Sequence, residues 1–106
     1  MIQQLCWEGI GIVREGARLE HTQAELGKLV GQTEQRETAE LDALEAANMA
    51  QAAWLIATAA RERRESRGAH YRLDYPEALP AWRRHIVLRR SSGGLELYYQ
   101  AVALEE

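Results

Sequence analysis

The sequence has no excess of positive charge, no second cysteine and no long hydrophobic segment. Its net charge of -3 and pI near 5.6 do not supply the basic surface that nucleic-acid binding requires. Cys6 has no second cysteine with which to form an internal disulfide, which is typical of cytoplasmic proteins. These absences predict a cytoplasmic protein without a nucleic-acid partner.

The longest stretch without a charged residue, residues 46–60, is too short to cross a bilayer. Asn48, Gln51 and Thr58 also interrupt it with polar side chains. The N-terminal segment lacks the basic and apolar regions of a signal peptide. We therefore expect no membrane partner.

No cluster of residues predicts chemistry in this chain. His21, His70 and His85 are not spaced as metal ligands on a helix, and the carboxylates are scattered. Cys6 has no neighbouring base in the sequence, so we interpret it as a small buried hydrophobic residue. We therefore predict no catalytic, cofactor-binding or metal-binding residue.

Gly9 and Gly11 have the spacing that begins a dinucleotide-binding motif. No strand pattern precedes them, however, and Arg14 occupies the position of the third glycine. We interpret the two glycines as a helix break or a close packing contact.

Two long segments, at about residues 2–34 and 38–67, have the three- and four-residue hydrophobic spacing of helices. Gly9 and Gly11 predict a break in the first helix. Thr38 is the expected N-cap of the second helix, and Gly68 is expected to end it. The second helix is predicted to face the core with Leu41, Leu44, Asn48, Ala52, Leu55 and Ala59.

The other two sides of the second helix are also apolar between Ala43 and Ala60, so more than one side should be buried. One small core cannot cover them all. We expect the isolated domain to expose an apolar patch or to self-associate.

A short helical turn at about residues 80–84 is predicted to begin at Pro80. A β-hairpin at about residues 85–102 follows, with its turn at Ser91 to Gly94. The sequence therefore predicts that residues 1–106 form one all-α domain. We expect an up-and-down bundle of about three helices, similar to a spectrin repeat, with a small C-terminal β-hairpin.

Residues 65–70 have the sequence ESRGAH, and Asp74, Tyr75 and Pro76 follow. Together with residues 3–7 and 11–14, and with Asn48-Met49, Trp82 and His85, this pattern resembles the C-terminal helical domain of the succinate dehydrogenase/fumarate reductase flavoprotein family. The segment LDYPE at residues 73–77 is most similar to the L-aspartate oxidase branch.

The resemblance implies a parent enzyme that uses FAD to oxidise L-aspartate to iminoaspartate, a step towards quinolinate and NAD. This domain would pack against the flavin-binding domain of the parent chain. The glycine-rich flavin fingerprint is absent, so we expect the chain alone to be inactive and without cofactor. Two alternatives stay open: the same domain of a succinate dehydrogenase or fumarate reductase flavoprotein, and a free-standing helical interaction module.

The charged residues around position 65 have two interpretations. Arginines and glutamates three or four residues apart can pair with each other at a solvated helix end. The resemblance implies instead an interdomain latch made of Arg64, Glu65, Arg67 and His70. An arginine fork suits this role because it can bind a carboxylate or backbone carbonyls.

Overall fold

The structure is a computed structural model, and it describes residues 2–34 and 40–102. Its helices are α1 (Ile2–Ile10), α2 (Gly16–Glu34) and α3 (Leu41–Glu62). A single 3-10 turn (Pro80–Trp82) then leads into strands β1 (Arg84–Ser91) and β2 (Gly94–Ala101). The predicted fold class, a three-helix bundle with a C-terminal hairpin, is confirmed.

The first predicted helix is divided into α1 and α2, with the break directly after Gly9 and Ile10. Gly9 is buried against α2, where a Cβ would overlap the side chain of Thr22. A Cβ on Gly11 would meet the carbonyl oxygen of Trp7. The two glycines therefore allow a close helix contact and a tight break, as predicted.

The core lies between α2 and α3 and is closed by α1. Leu26 of α2 packs against Ala53 and Ala57 of α3. The partly buried side chains packed on this cluster include Ile2, Leu5, Cys6 and Ile10 of α1. Burial of these apolar groups is the main force that holds the bundle together.

The core face predicted for α3 is wrong. The buried residues are Ala50, Ala53, Ala57 and Ala60, whereas Leu41 and Leu44 are 70% and 47% exposed. Alanine lets the backbones of two helices approach closely, since the distance between packed helices depends on the side chains at the contact. Helix α3 therefore packs into the bundle through its small side chains, and Leu41 and Leu44 face outwards.

The predicted end of α3 at Gly68 is also wrong, because the helix ends at Glu62. Gly68 does have a positive φ of 58°. It lies in a turn beyond the helix, where the backbones of Arg67 and His70 exchange hydrogen bonds of 2.8 and 2.9 Å. At the other end, α3 begins at Leu41, and the predicted N-cap Thr38 lies outside the described residues.

The hairpin is antiparallel and places Ser91 opposite Gly94. The buried ring of Trp82, just before β1, packs edge-on against the ring of Tyr99, with 5.9 Å between the two ring centres. The hydroxyl of Tyr99 also donates a hydrogen bond to the carboxylate of Glu62. These contacts attach the hairpin to the end of α3, which a free two-stranded hairpin needs for stability.

Within residues 2–34 and 40–102, no helix combines the length and the apolar character needed to cross a membrane.

Candidate functional site

Arg72 caps the C-terminal end of α3. Its side chain is 4% exposed, and Nη1 donates hydrogen bonds to the carbonyl oxygens of Arg61 at 2.8 Å and Arg63 at 3.1 Å. The last carbonyls of a helix have no partner inside the helix, and a cation there is favourable to the helix dipole. Arg72 thus has the capping role that the sequence assigned to Gly68.

Asp74 connects Arg72 to the beginning of α2. Its two oxygens accept hydrogen bonds from Nε and Nη2 of Arg72, at 3.0 and 2.8 Å, and Oδ2 also accepts one from the backbone N–H of Gly16 at 3.1 Å. The hydrogen bonds from Arg72 hold the pKa of the Asp74 carboxyl below its usual range. A carboxylate at the start of one helix and a guanidinium at the end of another both oppose the local helix-dipole charge.

Glu65 is a fully buried carboxylate. Oε2 accepts hydrogen bonds from Arg63 at 2.6 Å and Arg67 at 3.0 Å, while Oε1 accepts one from the backbone N–H of Leu79 at 2.9 Å. Burial acts to raise the pKa of Glu65, but the hydrogen bonds from Arg67, Leu79 and Arg63 outweigh it and lower the pKa overall. The side chain therefore stays ionised in the interior.

The two arginines that bind Glu65 also bind the chain that leads into the hairpin. Arg63 donates to the carbonyl oxygens of Trp82 and Arg84, each at 2.6 Å. Arg67 donates to the carbonyl oxygen of Leu79 at 3.1 Å. Residues 79–84 are thereby fixed against the end of α3.

His70 is held as a neutral ring with a defined tautomer. Nδ1 lies 2.8 Å from Nη1 of Arg14, and a guanidinium can only donate, so Nδ1 accepts. Nε2 carries the proton and donates to the carbonyl oxygen of Arg63 at 3.1 Å. Burial lowers the pKa of His70, and the positive charges of Arg14, Arg72 and Arg63 lower it further.

Backbone contacts complete this arrangement. Arg14 and residues 71–73 are joined by hydrogen bonds from Arg14 N–H to the Tyr71 carbonyl, at 2.9 Å, and from Leu73 N–H to the Arg14 carbonyl, at 2.7 Å. Ser66 Oγ accepts from the N–H of Arg72 at 2.9 Å and donates to the carbonyl of Tyr75 at 2.7 Å. We call the ionisable residues of this site the α3-end network: Arg63, Glu65, Arg67, His70, Arg72 and Asp74.

Three of the four residues predicted for the latch, Glu65, Arg67 and His70, belong to the α3-end network. Arg64 lies outside it and is exposed, with its guanidinium carbon 5.7 Å from the centre of the Trp82 ring. The hydrogen-bond partners described above for the network all belong to this chain, so a contact with another domain stays a prediction.

Sequence reasoning missed Arg63, Arg72 and Asp74. A signal for the last two was present, since an arginine two residues before an aspartate lies next to a predicted helix end with unpaired carbonyls. Arg63 was not distinguishable from its neighbours, because Arg61, Arg63 and Arg64 follow one another in a uniformly charged segment.

The α3-end network binds helix ends and loops and presents no reactive group. Each of its side chains has hydrogen-bond partners within the chain. Across residues 2–34 and 40–102, no three histidine, cysteine or acidic side chains come together in a way that could bind a metal ion. Burial raises the pKa of the Cys6 thiol, which makes it a weaker nucleophile.

The described residues also do not fit a dinucleotide cofactor. Gly9 lies inside α1 and packs on Thr22, so no glycine turn between a strand and a helix is available to approach a pyrophosphate.

One exposed side of α3 carries several large apolar side chains, with the polar side chains of Glu45 and Asn48 among them. We call the apolar residues of this side the open strip. It consists of Leu41, Leu44, Met49, Ala52 and Ile56, which share a helix face. The large members are 45–70% exposed. Met49 and Ile56 lie outside the predicted core face and are exposed, as expected of an apolar surface on this helix, whereas Leu41, Leu44 and Ala52 were predicted to face the core. Self-association of the isolated domain stays a prediction.

The sequence matches, over residues 1–106, the family described as "Fumarate reductase flavoprotein C-term". It is 35% identical over 97 residues to a fumarate reductase (CoM/CoB) protein from Methanothermobacter marburgensis. It is 37% identical over 90 residues to an L-aspartate oxidase from Pseudomonas aeruginosa. These alignments cover 84% and 82% of this chain but only 18% and 17% of the two relatives.

Solved structures with the same fold include a variant of Escherichia coli quinol fumarate reductase FrdA, with a TM-score of 0.81 and 26% identity. Mycobacterium smegmatis Sdh1 in complex with UQ1 has a TM-score of 0.77 and 27% identity. Both similarities cover 96% of this chain, and they cover 20% and 19% of the respective proteins. The chain thus spans a fifth or less of each of these relatives.

Proposed function

Because the chain belongs to the family of fumarate reductase flavoprotein C-terminal domains, we propose that it is a structural domain of a longer FAD-dependent oxidoreductase. Its role is to pack against the flavin-binding domain and to stabilise the geometry of that domain. The observation that carries this proposal is the family match over residues 1–106, together with the alignments that cover only 17–18% of the length of two relatives. The α3-end network supports it, since it provides rigidity without a reactive group.

We further propose that the parent enzyme is an L-aspartate oxidase. It would transfer a hydride from L-aspartate to FAD and release iminoaspartate, which leads to quinolinate and NAD; the cofactor performs the redox step. Relatives named L-aspartate oxidase support this choice, including those from Ralstonia nicotianae, 38% identical over 87 residues, and Yersinia pestis, 41% identical over 81 residues. A cytoplasmic location belongs to the same proposal.

A fumarate reductase or succinate dehydrogenase flavoprotein is the second candidate. The relative from Methanothermobacter marburgensis, named as a fumarate reductase, aligns over 97 residues and supports it as strongly. A free-standing interaction module is the third, and an upstream reading frame continuous with Met1 would argue against it.

The test is anaerobic reduction of the full-length flavoprotein by candidate substrates. We expect L-aspartate to bleach the bound FAD and succinate to leave it oxidised. Bleaching by succinate alone would favour the second candidate. The 106-residue chain by itself should be colourless and inactive towards both, and bound flavin or turnover in this chain would overturn the structural role.

A further inference from the structure

The open strip of α3 ends at a pocket that contains positive charge. This pocket, of about 370 Å³, is lined by residues from α3, the α1–α2 connection, the loop after α3 and β1, among them Ile56, Arg14, Arg63, His70, His85 and Ile86. Ile56, which is 51% exposed, belongs to both the strip and the pocket. The two features form one continuous surface.

Arg14 is the charge in this pocket that the described part of the chain leaves without a counterion. Its guanidinium contacts Nδ1 of His70 and the carbonyl oxygens of Gly11 and Ile10, at 2.8, 3.3 and 3.4 Å. No carboxylate among residues 2–34 and 40–102 lies within ion-pair distance of it, whereas Arg63, Arg67 and Arg72 each bind one. Arg14 is half-buried, and a desolvated cation is stabilised strongly by an anionic partner.

The size of the strip argues against a second copy of this chain as its partner. From Leu41 to Ile56 a helix rises about 22 Å, and a helix face about 10 Å wide gives roughly 220 Å² of surface. A stable complex between separate proteins buries about 800 Å² on each side. A segment on the same polypeptide needs less area, because its effective concentration is in the millimolar range.

We propose that the open strip and the Arg14 pocket are the docking surface for the flavin-binding part of the same polypeptide, through an apolar segment that carries an aspartate or glutamate to pair with Arg14. This inference rests on the proposed function. It adds which face of the domain docks and which charged residue, Arg14, binds the docking segment. The relatives contain four fifths or more of their length outside this domain, which supplies such a segment.

Photo-cross-linking in the full-length flavoprotein tests the surface. The photoreactive residue p-benzoylphenylalanine would replace Met49 or Ile56 on the strip, and, as controls, the exposed Ala24 on α2 or Tyr98 on the outer side of the hairpin. Mass spectrometry would locate the cross-linked peptides.

We expect cross-links from the positions of Met49 and Ile56 to the flavin-binding domain and none from the two controls. Cross-links from the controls alone would overturn the proposed surface and leave the docking function intact. A second outcome would reject both the proposed surface and the docking function. In that outcome no position forms a cross-link, and proteolytic removal of the domain leaves FAD affinity and activity unchanged.

A double-mutant cycle tests the carboxylate. The Arg14→Met variant should increase the rate at which trypsin separates the domain from the flavoprotein by about tenfold, because the partner carboxylate is left unpaired. Changing that carboxylate, identified from the cross-linked peptide, to its amide should have a similar effect.

The double variant should behave like either single variant, since both remove the same contact. Additive effects would show that Arg14 acts only on the stability of its own domain and would overturn the ion pair. Arg89→Met, which removes an arginine that is 64% exposed and paired with Glu96 on the hairpin, is the control and should leave the rate unchanged.

Discussion

At the scale of single residues, the arginines of this chain differ widely in their surroundings in the structure. Arg72 is buried and bonded to helix carbonyls and to Asp74, whereas Arg89 pairs with Glu96 at the surface, with both side chains about half exposed or more. A buried guanidinium has little water around it to replace a lost partner, and a surface pair is screened by solvent.

We therefore expect the Arg72→Met variant to lose about 3 kcal/mol of unfolding free energy, because Asp74 and the last carbonyls of α3 lose their donor. The matched Arg89→Met variant should lose less than about 1 kcal/mol. Urea denaturation of the two variants measures both values. Equal losses would mean that Arg72 does not cap the helix.

His70 makes the stability of the domain depend on pH. Its pKa is lowered in the folded state by burial and by Arg14, Arg72 and Arg63, so the unfolded chain binds the proton more readily. The contribution of neutral His70 to the free energy of unfolding is complete above the pKa of histidine in the unfolded chain, about 6.5. It is lost as the pH falls from there towards the lower pKa of His70 in the folded state.

The melting temperature should thus decrease between about pH 6.5 and pH 5, before Glu65 and Asp74 begin to contribute at lower pH. The His70→Gln variant should lack this decrease, while His21→Gln, at an exposed site on α2, should retain it. Differential scanning calorimetry across this range is the measurement. A decrease that persists in His70→Gln would assign it to another group.

At the scale of the elements, backbone geometry separates glycines that the sequence presents alike. Gly68 has a φ of 58° with no atom close to where a Cβ would lie, so only conformational strain opposes a side chain there. Gly31, in α2, has the same open space and a helical backbone. A methyl group should therefore have opposite effects at the two positions.

We expect Gly68→Ala to cost about 1 kcal/mol, the usual penalty for a side chain at positive φ. Gly31→Ala should instead stabilise the domain by about 0.5 kcal/mol through helix propensity. Chemical denaturation of the two variants provides the comparison. A neutral Gly68→Ala variant would mean that the turn relaxes to a negative φ.

The elements themselves were predictable, because hydrophobic spacing is local. The break after Gly9 and Ile10, the turn at Pro80 and the hairpin around Ser91 to Gly94 follow from propensity and turn chemistry. The end of α3 was placed wrongly, because the hydrogen bonds of Arg72 to the last carbonyls of the helix form only when the loop after the helix folds back. Sequence reasoning placed the cap at the nearest glycine instead.

At the scale of the whole molecule, the orientation of α3 was the feature that sequence could not settle. All sides of its central part are apolar, so periodicity alone does not distinguish the core face from an interface. In the structure, Ala53 and Ala57 pack closely against Leu26, and Leu41 and Leu44 are exposed. A helix that is apolar on every side is informative because it indicates a further partner.

The isolated chain should bind a hydrophobic dye through its open strip. Changing Ile56 to Glu should reduce the fluorescence of bound dye, because Ile56 is exposed at the centre of the surface formed by strip and pocket. Its folding should be preserved, since the side chain contributes little to the core. The matched variant Leu19→Ala, at a fully buried position of α2, should instead increase dye binding by loosening the core.

The small area of the open strip also limits self-association of the isolated chain. We expect dimers to appear only at high protein concentration, and sedimentation velocity measures this. A dimer that persists at micromolar concentration would mean that a larger surface than the open strip is uncovered.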